Sequence, residues 1–296
     1  MKQHYFVSGL PRAGNTLFGS IMNQNPDVAV TGNSWLFPVY ADIVNIKFGN
    51  STYLNFPDEI SHSNVVDNIY PNYFKHWKQK HIIERVPISP AHIKNMMAGT
   101  KTFPKLKIIL LLRPILEVVA SFIKWSETGE AKGKPKDMFK FSPTRELKVE
   151  QLMNPNQSNC GLGYVLTRNI MASDLMEYIL PVHFNDLTYN TKETIERVYD
   201  FLEIPKFKHR FNNLQQFKVN NQSYDDGVYG DDLHTIKTDS IDRDEYHISK
   251  YVPEDKIKKY QYFNHPWTFE DRLECINMVN RFNEIQNIKK ENYNEN

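Results

Sequence analysis

The stretch from Tyr5 to Gln24 constrains the fold more than any other part of this 296-residue chain. Tyr5-Phe6-Val7 is a short apolar run of the kind that forms a buried strand. Ser8 to Asn15 (Ser-Gly-Leu-Pro-Arg-Ala-Gly-Asn) are turn formers and small residues. From Thr16 onward, Leu17, Ile21 and Met22 recur at helical spacing. Strand, loop and helix in this order aim backbone N–H groups, and the positive end of a helix, at an anion.

The glycines are spaced Gly9-x-x-x-x-Gly14-Asn15-Thr16. A loop that activates a nucleoside triphosphate carries Lys directly after its second Gly, to reach the β- and γ-phosphates. Here that position is Asn15, and the cation is Arg12, inside the loop. Such a loop can cradle phosphate but is poorly equipped to activate a γ-phosphoryl group. An ordinary Gly-Pro turn between strand and helix would use the same residue types.

The remaining pattern predicts an α/β chain. Val28-Ala29-Val30, His81 to Pro87, Lys107 to Leu112 and Ile179 to Phe184 read as strands. The run Ile108-Ile109-Leu110-Leu111-Leu112 is apolar at every position, as in a parallel strand covered on both faces. Helices are expected from Ser89 or Pro90 to Met97, Ile115 to Trp125, Leu162 to Met176 and Lys192 to Leu202. Together these imply three layers, a central mainly parallel sheet flanked by helices, in a single domain over residues 1–285. Residues 31–77 hold ten aromatics without a clean period and read as a lid or acceptor-binding region, or as a second layer packed on the sheet. Residues 128–159 read as a mobile excursion with helix around Thr144 to Leu152, residues 206–250 as irregular, and 286–296 as a polar tail.

Composition excludes some functions. A formal charge of +1 argues against bulk nucleic-acid binding while leaving room for a local anion site. Two cysteines, Cys160 and Cys275, make neither a disulfide framework nor a zinc pattern, and with no secretory leader the chain is expected to be cytoplasmic. No apolar run reaches the roughly 18 residues that a membrane span needs.

A second anchor lies about 100 residues after the loop, where Arg113 ends the strongest strand and Ser121 follows on a helix. In a doubly wound sheet, ligands bind outside the carboxyl ends of strands. This pair resembles the sulfotransferases that use 3′-phosphoadenosine 5′-phosphosulfate (PAPS). Phe6 to Leu17 is similar to that family's 5′-phosphosulfate loop, and Asn23 to Val28 to the end of its first helix. Phe103 to Arg113, continuing to Ser121, is similar to its 3′-phosphate strand and helix. Val182 to Leu187 and Val198 to Pro205 are similar to its late strand and helix.

The resemblance implies a P-loop NTPase-like sulfotransferase architecture and transfer of a sulfuryl group from PAPS to a hydroxyl or amine. The acceptor would be a small molecule, glycan or peptide, the product adenosine 3′,5′-bisphosphate (PAP), and no metal would be required. Arg12 would contact the phosphosulfate and stabilise the leaving phosphate. Pro11, Ala13, Gly14, Asn15 and Thr16 would complete the 5′-phosphate cradle, and Arg113 and Ser121 would hold the 3′-phosphate. Phe217 beside Lys218, and Lys237 with Thr238, are candidates for the adenine and 3′-phosphate contacts. The chain departs from the family pattern at Pro114-Ile115, at Phe184 where a Tyr is usual, and in the catalytic base. Glu84 is the first candidate base, with His62, His81 and His92 behind it; a structural pairing of Glu84 would account for it equally. A small-molecule kinase, or a nucleotide-binding module without turnover, are the competing readings.

Overall fold

The computed structural model describes residues 2–98, 103–127, 138–226, 233–241, 248–264 and 272–293. Its centre is a five-stranded, all-parallel sheet of order β2-β3-β1-β4-β5. The strands are β1 (Gln3–Gly9), β2 (Val28–Asn33), β3 (His81–Arg85), β4 (Ile108–Leu112) and β5 (Ile179–His183). Every residue of β4 is buried, as its unbroken apolar run requires.

Both faces of the central strand are covered. On one side Phe6 meets Phe37, Tyr70 and Phe103 edge-on at ring distances of 5.8, 6.4 and 5.1 Å. Toward the other side the Tyr5 hydroxyl donates to the Leu202 carbonyl at 3.2 Å. Phe37 and Tyr70 belong to α2 (Leu36–Gly49) and α4 (Glu59–Tyr73), joined through the short α3 (Ser51–Asn55), and Leu202 ends α10 (Thr191–Leu202). The aromatic region is thus helical. Phe37, Tyr40, Tyr70, Phe74 and Trp77 are core, whereas Trp35, Phe48 and Phe56 stay exposed. None of the ten rings lines the cleft described below.

The remaining elements follow the sequence reading with local shifts, except that the helix from Phe184, the residue read as the end of β5, departs from it. They are α1 (Asn15–Met22), α5 (Pro90–Ala98), α6 (Ile115–Glu127), α7 (Arg145–Met153), α8 (Asn159–Met171) and α9 (Phe184–Tyr189). The helix expected over Leu162–Met176 begins earlier because Ser158 caps it, its hydroxyl accepting from the Cys160 N–H at 2.9 Å, and it ends at Met171. Thr144 caps α7 in the same way. Part of the expected excursion, residues 128–137, lies outside the described residues. The described parts of 206–250 are irregular up to α11 (Ile248–Tyr251), apart from the isolated bridges Asn212↔Ser240 and Val219↔Gln222. After α12 (Glu254–Tyr260), α13 (Arg272–Tyr293) continues into the stretch read as a polar tail. No helix among the described residues is long and apolar enough to cross a membrane.

The strand order positions the site. From β1 the chain moves through β2 to β3 on one side, then crosses to β4 and β5 on the other. The order therefore reverses between β1 and β4, and the carboxyl ends of such a pair leave a crevice. Arg12 follows β1 and Arg113 follows β4.

Candidate active site

The loop after β1 is shaped by three residues with positive φ: Gly9 (130°), Arg12 (60°) and Gly14 (87°). Gly9 lies so close to β4 that a Cβ there would come within 2.1 Å of the Leu111 carbonyl oxygen. Gly14 is the N-cap of α1, and no side chain caps that helix. Its first turn has no acidic residue, and Gly14, Asn15, Thr16 and Leu17 all border a cleft of about 660 Å³. Unpaired N–H groups of a first turn and the helix dipole favour an anion at such a place. Asn15 is buried and donates through Nδ2 to the Leu10 carbonyl at 2.9 Å, so the side chain at the usual Lys position holds the loop's own backbone.

Three residues predicted from separate motifs meet here. The Arg12 Nε donates to Ser121 Oγ at 3.1 Å. The Arg113 Nη1 donates to the Arg12 carbonyl at 2.9 Å. The left-handed backbone at Arg12, uncommon for a residue with a Cβ, is thus held by the arginine that follows β4. Arg113 is almost wholly buried; its Nε pairs with Glu117 at 3.1 Å, one helical turn on, and its guanidinium lies 3.9 Å from the centre of the Phe184 ring. Phe184 therefore supports Arg113 with its face, which a Tyr hydroxyl is not needed to do.

The cleft carries Arg12, Arg85, Arg113, Lys124 and Lys237, and no Asp or Glu is among the described residues lining it. Leu17, Phe122, Trp125, Ile236 and Ile241 supply apolar wall. Of the residues singled out in the sequence, Pro11, Arg12, Gly14, Asn15, Thr16, Arg113, Ser121 and Lys237 line it. Ala13 is buried behind the loop, and Thr238 lies outside, its carbonyl bonded by the Leu214 N–H at 2.7 Å. Phe217 is buried under α1, where a Cβ on Gly19 would come within 2.6 Å of its ring, so it is packed as core and offers the cleft no face.

Glu84 is also away from the cleft. Successive residues of a strand face opposite sides, and β3 sends Arg85 to the cleft and Glu84 into the core. There Glu84 accepts from the Tyr70 hydroxyl at 2.6 Å, and burial pushes its carboxyl from 4.5 up to about 7, against the hydrogen bonds it receives. His62, His81 and His92 do not line the cleft either; His62 Nε2 sits 2.8 Å from the Ile43 carbonyl.

Sequence reasoning passed over a second group on the cleft wall. The Arg85 Nη1 donates to the Tyr224 hydroxyl at 2.8 Å. Tyr224 stacks on His234, ring centres 3.8 Å apart and planes within 5°. The His234 Nδ1 is 2.5 Å from Asp226 Oδ1, and its backbone N–H donates to Asp226 Oδ2 at 3.0 Å. Arg12 reaches the same turn, donating through Nη1 to the Leu233 carbonyl at 2.6 Å. Strand alternation could have directed Arg85 to the site; no periodicity marks His234.

Residues 5–209 match the model of the sulfotransferase family. The chain belongs to the sulfotransferase family. No curated protein is matched by sequence. Among solved structures, the mouse sulfotransferase SULT7A1 complexed with PAP is 10% identical, with 96% of this chain and 88% of that one covered and a TM-score of 0.50. The sulfotransferase domain from the olefin synthase of Synechococcus PCC 7002 is 15% identical, with 90% and 96% covered and a TM-score of 0.47. A sulfotransferase from Alicyclobacillus acidocaldarius is 14% identical, with 71% and 85% covered and a TM-score of 0.43. At 10% identity the likeness to the mouse enzyme is one of fold. Sulfuryl transfer is the class of reaction that the family carries.

Proposed function

We propose that the enzyme moves a sulfuryl group from PAPS to a hydroxyl or amine of an acceptor, with Arg12 stabilising the charge on the leaving phosphate. The observation that carries this reading is the junction of Arg12, Arg113 and Ser121, joined by hydrogen bonds of 2.9 and 3.1 Å where the strand order reverses. A donor with phosphate at both the 5′ and 3′ positions needs two anion sites, and this junction supplies one from each strand end. The fit is also electrostatic. Five cationic side chains and no described carboxylate line a cleft whose volume lies in the usual range for small-molecule sites, roughly 300–1,000 Å³.

Within this reading Arg12, Gly14, Asn15 and Thr16 hold the 5′-phosphosulfate, and Arg113 with Ser121 holds the 3′-phosphate. Lys237 and Lys124 add positive charge, and Leu17 and Trp125 give the cleft an apolar wall against which the base would lie. The reaction parallels phosphoryl transfer: in line, loose, with catalysis by positioning and charge stabilisation. The bound side chain of Asn15 argues against the kinase alternative, because the position that would reach a γ-phosphate is committed to the Leu10 carbonyl. Cys160 and Cys275 are free and buried, consistent with the cytoplasmic location we assign.

Thermal unfolding with PAP tests the donor site. A ligand at about 100 Kd stabilises by roughly 2.7 kcal/mol, so PAP should raise the melting temperature by several degrees. A rise with ATP and magnesium and none with PAP would overturn the reading. Labelled PAPS with a panel of phenols, alcohols, sugars and amines then identifies the acceptor class.

A further inference from the structure

Transfer to a neutral hydroxyl requires somewhere for its proton to go, and Glu84, committed to Tyr70 in the core, is not available in the cleft. We infer that His234 is the general base, held in its working tautomer by Asp226; this rests on the sulfuryl-transfer reading above.

The argument is geometric. Asp226 receives both the backbone N–H and the Nδ1 side of His234. An ionised carboxylate only accepts, so Nδ1 carries the ring proton and the lone pair is on Nε2. Among the described residues no hydrogen bond engages Nε2, while the ring lines the cleft. Face to face at 3.8 Å, Tyr224 fixes the plane of the ring, and Arg85 holds the Tyr224 hydroxyl. Arg12, the side chain assigned to the leaving phosphate, bonds the carbonyl of the residue just before His234. Base and leaving-group stabiliser are thereby tied to one turn.

The charged groups around the imidazole agree with this role. Burial holds the His234 pKa below its ordinary value; Asp226 opposes this, and Arg85 and Arg12 reinforce it. The neutral, proton-accepting ring is therefore the resting form near neutral pH. In the transfer step the acceptor oxygen forms a bond to sulfur and the sulfur–oxygen bond to the 5′-phosphate breaks. The bonding pair leaves with PAP, and the acceptor proton passes to Nε2. The imidazolium then returns it to water.

The test uses the full chain, labelled PAPS and the acceptor on which the wild type turns over best in the panel above. His234→Gln should lower kcat by roughly 10²–10⁴-fold while keeping the wild-type thermal shift with PAP. The acidic limb of the wild-type pH–kcat profile should vanish in this variant, and added imidazole should restore part of the rate in His234→Gly. Asp226→Asn should lower kcat more than it raises KM. Turnover by His234→Gln near the wild-type rate, or loss of its PAP shift in step with its activity, would overturn this inference alone. No turnover by the wild type on any acceptor would overturn the sulfuryl-transfer reading and this inference with it.

Discussion

Arg12 does three things at once. Its backbone turns through a left-handed conformation, its carbonyl accepts from Arg113, and its guanidinium bridges Ser121 and Leu233. A side chain so held meets developing charge without reorganising, which is where electrostatic catalysis draws most of its strength. Arg12→Ala should therefore reduce kcat by about 10²–10³-fold and, because Arg12 also holds the 5′-phosphate, shrink the rise in melting temperature that PAP produces. Arg113→Lys keeps the charge but loses the planar fork that reaches the Arg12 carbonyl, Glu117 and a phosphate together. It should weaken PAP binding by about 10- to 100-fold, since hydrogen bonds to charged groups contribute roughly 1.5–3 kcal/mol. Calorimetric titration with PAP measures this; unchanged affinity would remove Arg113 from the 3′-phosphate site.

At the scale of the element, β3 shows how one strand serves two compartments. Arg85 faces the anion cleft, and Glu84, its neighbour, lies among Tyr70 and the rings packed on α2 and α4. The folded-state pKa of Glu84 is raised from 4.5 to about 7 because burial disfavours the charged form. The stabilisation by neutral Glu84 is thus complete below about pH 4.5 and is lost as pH rises through 7. From the size of that shift the loss is about 3 kcal/mol. Glu84→Gln, which cannot ionise, should flatten this part of the stability curve between pH 5 and 8. Denaturant unfolding of both proteins across that range checks it, and equal slopes would show that Glu84 does not titrate there. If Glu84 has no part in the chemistry, the variant also keeps its sulfuryl-transfer activity.

Across the whole molecule charge is nearly balanced, at +1 formally, yet positive side chains converge on one cleft. A local field of this kind attracts a polyanionic nucleotide without giving the protein general affinity for nucleic acid. Part of that attraction acts through solvent over a Debye length, about 10 Å at 0.1 M salt and about 3 Å at 1 M. PAP affinity should therefore fall several-fold as salt rises from 0.05 to 0.5 M. Titration at the two ionic strengths reads the change; no dependence would mean that half-buried Lys124 and exposed Lys237 contribute little.

The amino-acid order alone determined much of this. Apolar runs at β1, β3, β4 and β5 are local signals, and so is the Gly-rich loop that Gly9 and Gly14 make possible. The link from the β1 loop to Arg113 and Ser121 was legible because each residue sits at a fixed offset from its own strand. What only the tertiary structure decided is which way side chains turn and what irregular chain packs over them. On β3 the sequence pointed to Glu84, and only the packing showed that the core takes Glu84 while Arg85 faces the cleft. Phe217 is as aromatic as an adenine platform must be, but the space under Gly19 claims it. The Asp226–His234 pair lies on irregular chain, where no helical or strand period links residue type to place. Long-range contact brought it beside Arg12, and such contact depends on how the layers close over one another, which no local pattern encodes.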